Sequence, residues 1–173
     1  MHYTQTISSP LGNILLSADE VGLTGLWFDG GRYYAETLPE EHVERETPIL
    51  MDTKRWLDVY FTGREPDFTP PLHPTGSPFR QTVWQLLLEI PYGQTTTYGE
   101  LAKRLECGRM SAQAVGGAVG HNPISIIVPC HRVVGTNGSL TGYAGGLDRK
   151  IRLLEIEQMD MNGLFRPRKE TAI

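Results

Sequence analysis

At 173 residues, 39% of them hydrophobic, the chain can bury the core of one domain or of two small ones. No run approaches the roughly 18 apolar residues of a membrane span, no basic-then-apolar leader opens the chain, and two cysteines make no disulfide framework, so a soluble cytoplasmic protein in a reducing compartment is expected. The net charge of −4 conceals a split, with 5 Lys/Arg against 12 Asp/Glu in residues 1–75 and 11 against 8 in residues 76–173, which argues against a broad phosphate-gripping surface and for a small, salt-sensitive one in the second half.

Residues 2–28 alternate and are punctuated by Pro10-Leu11-Gly12-Asn13 and Asp19-Glu20-Val21-Gly22, which predicts three strands joined by tight turns, the start of an antiparallel sheet. The acidic stretch 31–46 is weakly patterned and receives no element beyond a short helix near Tyr33 to Glu36. From Pro48 to Phe61, the residues Ile49, Leu50, Trp56, Leu57, Tyr60 and Phe61 recur at helical spacing before Gly63, predicting a helix whose aromatics pack on the sheet. Five prolines from Pro66 to Pro78 mark extended backbone. The domain boundary is drawn there: an N-terminal sheet-and-helix domain over 1–70, a linker over 71–77 and a mainly helical second domain over 78–163.

Ser77 supplies an N-cap and Pro78 a first helical position, and Phe79, Val83, Trp84, Leu87 and Leu88 line one face of a helix to about Glu89. The run Thr95-Thr96-Thr97 offers a cap for a helix from Tyr98 to Leu105, ended by Cys107-Gly108, and a second helix follows from about Ser111 to Gly120. Two short helices across a turn with glycine read as a helix-turn-helix or as an ordinary helical hairpin. The second helix carries Ala112, Ala114, Gly116, Gly117, Ala118 and Gly120. Such residues weaken a helix and let another backbone come close, whether DNA or a packed neighbour. A turn at 136–139 and a glycine loop at 142–147 lead to a last helix from Leu147 to about Gln158, with Leu147, Ile151, Leu154 and Glu157 or Gln158 near one face. A loose tail is expected from residue 164. The whole reads as an α/β protein of the α+β type.

Between these elements, the apolar run Ile126 to Val134 is interrupted by Cys130, His131 and Arg132. A thiol beside an imidazole and a guanidinium has two groups able to favour the thiolate over its usual pKa of about 8.5, which makes Cys130 a candidate nucleophile. A buried structural cysteine fits the same residues, because free Cys packs as a small hydrophobe and neighbours on an extended backbone point to opposite faces. No phosphate-binding loop, dinucleotide glycine motif or metal-ligand spacing is present, so neither cofactor nor metal is expected. Cys107, between the two predicted helices, reads as structural or incidental.

Ile90-Pro91-Tyr92-Gly93-Gln94-Thr95, Ala114-Val115-Gly116-Gly117-Ala118, Asn122-Pro123, Pro129 to Val134 and Gly142-Tyr143-Ala144-Gly145-Gly146-Leu147 occur in this order. The ordered set closely resembles the O6-alkylguanine-DNA alkyltransferase family, of the bacterial kind with a short N-terminal domain. The resemblance spans about residues 77–158; residues 1–70 match only in general pattern. It implies a monomeric, single-turnover DNA-repair protein that moves an alkyl group from O6 of guanine, and from O4 of thymine, onto Cys130. A thioether is a poor leaving group, so the protein would be consumed. By the same resemblance His131 takes the thiol proton by way of water, Glu157 orients His131, Asn122 braces the turn holding the site, and Tyr98 hydrogen-bonds the flipped base and protonates the departing guanine. Arg132, Val133, Tyr143, Ala144 and Gly145 would wall the alkylguanine pocket or meet DNA, and the helix with Ala112, Gln113, Gly116 and Gly117 would enter the minor groove of double-stranded DNA whose damaged nucleotide is flipped out. Read without the resemblance, Glu157 is no better placed than Glu155, Tyr98 is a core aromatic and Asn122 a turn residue.

Two positions depart from the family pattern. Gln113 stands where the family usually has the Arg that replaces the extruded base, which predicts a weaker hold on flipped duplex with repair retained. Ala144 stands where some relatives have a Ser able to reach O6, leaving leaving-group assistance to Tyr98 and backbone amides. Two rival readings are a non-catalytic lesion sensor, which the presence of Cys130 disfavours, and a Cys-His-Glu thiol hydrolase, which would turn over repeatedly.

Overall fold

The computed structural model describes residues 1–105 and 112–167. Strands β1 (His2–Ile7), β2 (Ile14–Ala18) and β3 (Leu23–Phe28) form the expected antiparallel meander. In the first turn Ser9 and Gly12 exchange backbone bonds, with Gly12 at φ 109, a conformation that suits glycine. In the second the Asp19 carboxylate accepts from the amides of Val21 and Gly22, each at 2.9 Å. Strand β4 (His42–Glu44) adds parallel to β1, giving the order β3-β2-β1-β4. It falls in the acidic stretch given no strand from sequence, and its three residues are all exposed, so no alternation announces it. The short helix expected near Tyr33 to Glu36 is absent. Turns replace it, with Tyr33 and Ala35 at φ 58 and 55, angles a right-handed helix does not contain.

Helix α1 (Pro48–Tyr60) starts at Thr47, whose hydroxyl accepts from the Leu50 amide, and buries Leu50, Thr53, Trp56, Leu57 and Tyr60. Helix α2 (Pro78–Leu87) is capped by Ser77 as its sequence predicts. It stops at Leu87 rather than Glu89, and Leu88, expected on the buried face, is 38% exposed. The proline-rich segment lies along the edge of β3, where the Leu23 amide donates to Pro71 and the His73 amide to Leu23, both at 2.7 Å. Farther along that edge the Leu26 amide donates to Pro123 (2.8 Å) and the Ser125 amide to Leu26 (3.1 Å). The second half of the chain therefore covers an otherwise open sheet edge, and one apolar core runs through both halves, from Leu16 and Leu26 to Val115, Ile126 and Leu153.

Strand β5 (Thr96–Thr97) pairs in parallel with β6 (Val133–Val134) and leads into α3 (Tyr98–Arg104). The threonine run thus provides both a strand and the expected cap, the Thr97 hydroxyl accepting from the Glu100 amide at 3.1 Å. Helix α4 (Ala112–Gly120) follows; the turn before it, with Cys107 and Ser111, lies outside the described residues. Helix α5 (Leu147–Ile156) ends before Glu157, its C-cap, and Gln158 is exposed with φ 54. Its buried face is Leu147, Lys150, Leu153 and Leu154, whereas Ile151 is only partly buried. The tail is not loose where it begins. Phe165 accepts from the Leu140 amide (2.8 Å) and donates to Gly138 (3.1 Å). No described helix is long and apolar enough to cross a membrane.

Candidate active site

After α4 the chain runs through the core, and residues 122–134 are all buried. Backbone in that position must find hydrogen-bond partners, and Asn122 supplies three. Its Nδ2 donates to Val128 (2.8 Å) and Ile124 (3.2 Å), and its Oδ1 accepts from the Ile124 amide (3.0 Å). These bonds close a turn in which the Ile127 amide reaches the Ser125 carbonyl (2.8 Å) across Ile126 at φ 70. A β-branched residue there carries strain of about 1–3 kcal/mol, held by a fully buried side chain. Cys130 to Arg132 then form a single 3-10 turn rather than extended chain.

Behind Cys130 the side chains of His131 and Arg132 converge on Glu157. Its Oε2 accepts from His131 Nε2 (2.6 Å), the Tyr60 hydroxyl (2.6 Å) and Arg132 Nη2 (3.2 Å). Its Oε1 accepts from Arg132 Nε (2.8 Å) and the Gly93 amide (3.1 Å), and Arg132 Nη1 donates to the Ile90 carbonyl (2.7 Å). Burial pushes the Glu157 carboxyl up, but the hydrogen bonds from His131 and Arg132 and the guanidinium charge outweigh it and hold the group at about 2. Burial lowers His131 despite Glu157, so the imidazole is neutral. An ionised Glu157 fixes the proton on Nε2 and leaves the Nδ1 lone pair as an acceptor. Nδ1 is buried and has no hydrogen-bond partner among the described residues.

Two expectations change here. Arg132, placed at the DNA side from sequence, is 8% exposed and spends its guanidinium on Glu157 and Ile90. His131 and Arg132 do not draw the thiol toward thiolate; burial pushes Cys130 up, opposed by a hydrogen bond from the Asn122 side chain and by the charge of Lys150. The resting pair is a thiol and a neutral imidazole.

Within electrostatic reach of Cys130 lies Lys150, which the sequence reading missed. It is fully buried, and its Nζ donates to Val133 (2.7 Å), Thr141 (2.7 Å) and Gly142 (3.2 Å). Burial brings it down to about 8. A lysine three residues after Leu147 and four before Leu154, on the apolar face, was the available signal. The Tyr98 hydroxyl reaches the Thr141 carbonyl at 3.5 Å, and burial and Cys130 both raise its pKa. Tyr143 is buried beside Cys130 and Ser125. A Cβ added at Gly145 would lie 2.6 Å from the Tyr143 ring and 2.9 Å from Phe28, so only glycine fits. Ala144 accepts from the Arg32 amide (2.7 Å), and Arg149 ties Gly145 (3.2 Å) to Leu11 (3.0 Å) and Asp29 (2.9 Å). The glycine loop is thus anchored to the N-terminal half.

Helix α4 is fixed from its inner face. Val115, Ala118 and Val119 are buried, and Trp84 Nε1 donates to the Ala118 carbonyl (2.8 Å). Gln113 and Ala114 are exposed, and a Cβ at Gly117 would meet nothing within 4 Å. Internal packing therefore does not require glycine at 117. Cys130, His131, Glu157, Asn122, Tyr98, Val133 and Tyr143 are brought together; Ala112, Gln113, Gly116 and Gly117 sit on the neighbouring helix. Among the described residues no three His, Cys, Asp or Glu side chains group as a metal site.

A thiol followed by a buried imidazole–carboxylate pair is an arrangement of thiol-dependent enzymes, group-transfer proteins and hydrolases alike. Comparison with known proteins makes this specific. The family models for 6-O-methylguanine DNA methyltransferase match twice, its ribonuclease-like domain over residues 1–74 and its DNA-binding domain over 78–159. A methylated-DNA–protein-cysteine methyltransferase of Methanosarcina acetivorans is 48% identical over 155 residues, 90% of this chain and 97% of that protein. The Mycobacterium tuberculosis protein of the same name is 42% identical over 160 residues, 91% of this chain and 93% of its own. The structure of Mycobacterium tuberculosis OGT in complex with DNA superposes with a TM-score of 0.80 at 41% identity, covering 90% of this chain and 92% of that one. The chain belongs to the 6-O-methylguanine DNA methyltransferase family of DNA-repair methyltransferases.

Proposed function

We propose that Cys130 accepts an alkyl group from O6 of guanine, or O4 of thymine, in double-stranded DNA, once and irreversibly. The observation that carries this is the sealed relay, in which an ionised Glu157 holds a neutral His131 with Nδ1 available to take the thiol proton. Through a water, the proton passes from Cys130 to Nδ1. The thiolate attacks the sp³ carbon, a C–S bond forms, the C–O6 bond breaks, and the charge moves onto guanine. Tyr98 protonates the leaving base and recovers a proton from the His131 imidazolium through water, so the net result is one proton moved from the thiol to guanine. Glu157 stays ionised and stabilises the imidazolium, while the Lys150 charge favours the thiolate. A base in duplex cannot reach a buried thiol, so the nucleotide flips out, at a cost of a few kcal/mol. The open face of α4 enters the minor groove, Gln113 takes the place of the extruded base, and Tyr143, Ala144 and Gly145 wall the pocket.

The test is to mix the protein with an oligonucleotide carrying one O6-methylguanine, weigh the intact protein and map the modified peptide. The expected result is one methyl on Cys130 per protein and no second turnover. Binding without a mass change, with Cys130 reduced, would mean a lesion sensor; repeated turnover would mean a hydrolase.

A further inference from the structure

Tyr60 belongs to the N-terminal half, yet it is fully buried and its hydroxyl donates at 2.6 Å to the Glu157 oxygen that holds His131. The residues are 97 apart in sequence. We propose that Tyr60 is a positioning residue of the relay, sharing Oε2 with His131 and so setting how strongly Glu157 pulls on the imidazole. The inference rests on the reading of Cys130 and His131 given above.

The argument follows from the count of donors. Five hydrogen bonds reach Glu157, three of them on Oε2. Each donor withdraws charge from the oxygen it meets, so an oxygen shared with a phenol is a poorer acceptor for imidazole. Burial and the nearby carboxylate keep the Tyr60 phenol protonated well beyond neutral pH, so it stays a donor whenever the protein is folded. The ring is locked by a stacked Trp56 at 5.3 Å and an edge contact with Phe61 in its own half, and by an edge contact with Tyr92 from the second half. The other charged or titratable groups around the pair are Cys130, Arg132, Lys150, Tyr92 and Tyr143. Arg132 and Lys150 oppose protonation of His131 as Tyr60 does, but through charge; Tyr60 acts through its short bond to Glu157 (2.6 Å), the Leu153 carbonyl at 3.5 Å being a longer second acceptor. The N-terminal half thereby takes part in the chemistry through Glu157.

Removing that bond makes Oε2 more basic and His131 easier to protonate, and a protonated His131 cannot take the thiol proton. In Tyr60→Phe the acid limb of the single-turnover methyl-transfer rate, followed by intact mass on the O6-methylguanine oligonucleotide from pH 5 to 9, is therefore expected to move up by roughly half a unit or more. Site-specific 3,5-difluorotyrosine at position 60, a stronger donor that keeps the bond, is expected to move it down. Leu50→Val, which disturbs the packing of the same helix but neither the Tyr60 ring stack nor Glu157, should leave the limb in place. If both Tyr60 replacements scale the rate without moving the limb, or if Leu50→Val moves it equally, Tyr60 is a packing residue only and the proposal fails. If the unmodified protein transfers no methyl to Cys130, the functional reading fails instead.

Discussion

The two sides of Cys130 are built on opposite terms. Behind it, Tyr60, His131 and Glu157 are each 2% exposed or less, and one carboxylate collects five hydrogen bonds. Beside it, α4 leaves Gln113 exposed and Gly117 with open space where a side chain would stand. The first side is over-determined, so a change there reaches the chemistry, and where it strands a buried charge it costs the fold as well. The second is left unfilled by the protein itself, so a change there alters what the protein binds and leaves the fold alone or improves it.

The largest effect that separates the sides is expected at Glu157. Glu157→Gln leaves the buried Arg132 without its counter-charge and should lower unfolding free energy by about 3–5 kcal/mol, read by denaturant titration. Methyl transfer should slow by about a hundredfold or more. The pH dependence has a defined sign. Glu157 sits at about 2, below its ordinary 4.5. Its stabilisation of about 3 kcal/mol is therefore full above pH 4.5 and is lost as pH falls toward 2. His131 is depressed from 6.5, so the unfolded chain takes up a proton there first and stability begins to fall below pH 6.5. Acid unfolding followed by circular dichroism should show both segments, and the lower one should vanish in Glu157→Gln.

Next in size is Asn122→Ala. It strips partners from the carbonyls of Ile124 and Val128 and from the Ile124 amide, all buried, and releases the strained turn at Ile126. A loss of about 1–3 kcal/mol is expected, with a slower transfer rate because the turn also carries Cys130. A variant as stable as the parent would show that the turn holds itself.

The same contrast explains what could be read in advance. Thr47, Ser77 and Thr97 cap helices from local chemistry alone, so the element starts were legible. Cys130 could be nominated from its own stretch, level there with a buried structural cysteine, but the roles of His131, Asn122 and Tyr98 came only through an ordered set of motifs, because each alone has an ordinary reading. What escaped depends on partners far along the chain. Strand β4 exists because β1 accepts it, and its own residues are exposed. Lys150 is held by carbonyls of the loops it crosses. Tyr60 was legible as a core aromatic, and it is one, but its bond to Glu157 cannot be inferred from helical spacing. Arg132 was assigned to the pocket or to DNA through the resemblance alone, whereas a 3-10 turn directs its guanidinium inward.

On the open side the effects are smaller and fall on binding. Gly117→Ala should stabilise the protein by about 0.5–1 kcal/mol, since glycine in a helix interior is costly and the added methyl meets nothing. The same methyl should weaken duplex binding by about tenfold if DNA approaches this face. Thermal melting and fluorescence anisotropy on one preparation measure both. A more stable variant that binds DNA equally well would move the interface off Gly117.

The smallest change is expected from Gln113→Arg. Gln113 is exposed on α4, so neither residue affects the core and melting temperature should not move. In the duplex, a glutamine can hydrogen-bond the unpaired base opposite the lesion but brings no charge and no planar cation to stack in the gap. An arginine supplies both and adds a phosphate-attracted charge. Binding to a lesion-bearing duplex should tighten by a few-fold, roughly 1 kcal/mol or less, with a steeper salt dependence. Single-stranded substrate has no gap to fill, so its repair rate should change little. The discriminating quantity is the ratio of duplex to single-strand repair rates, measured under single-turnover conditions at two salt concentrations. A ratio that rises in Gln113→Arg places residue 113 in the vacated stack. A ratio that stays constant while both substrates bind more tightly means that the new charge acts only on the phosphates, and that extrusion of the base depends on other residues of α4.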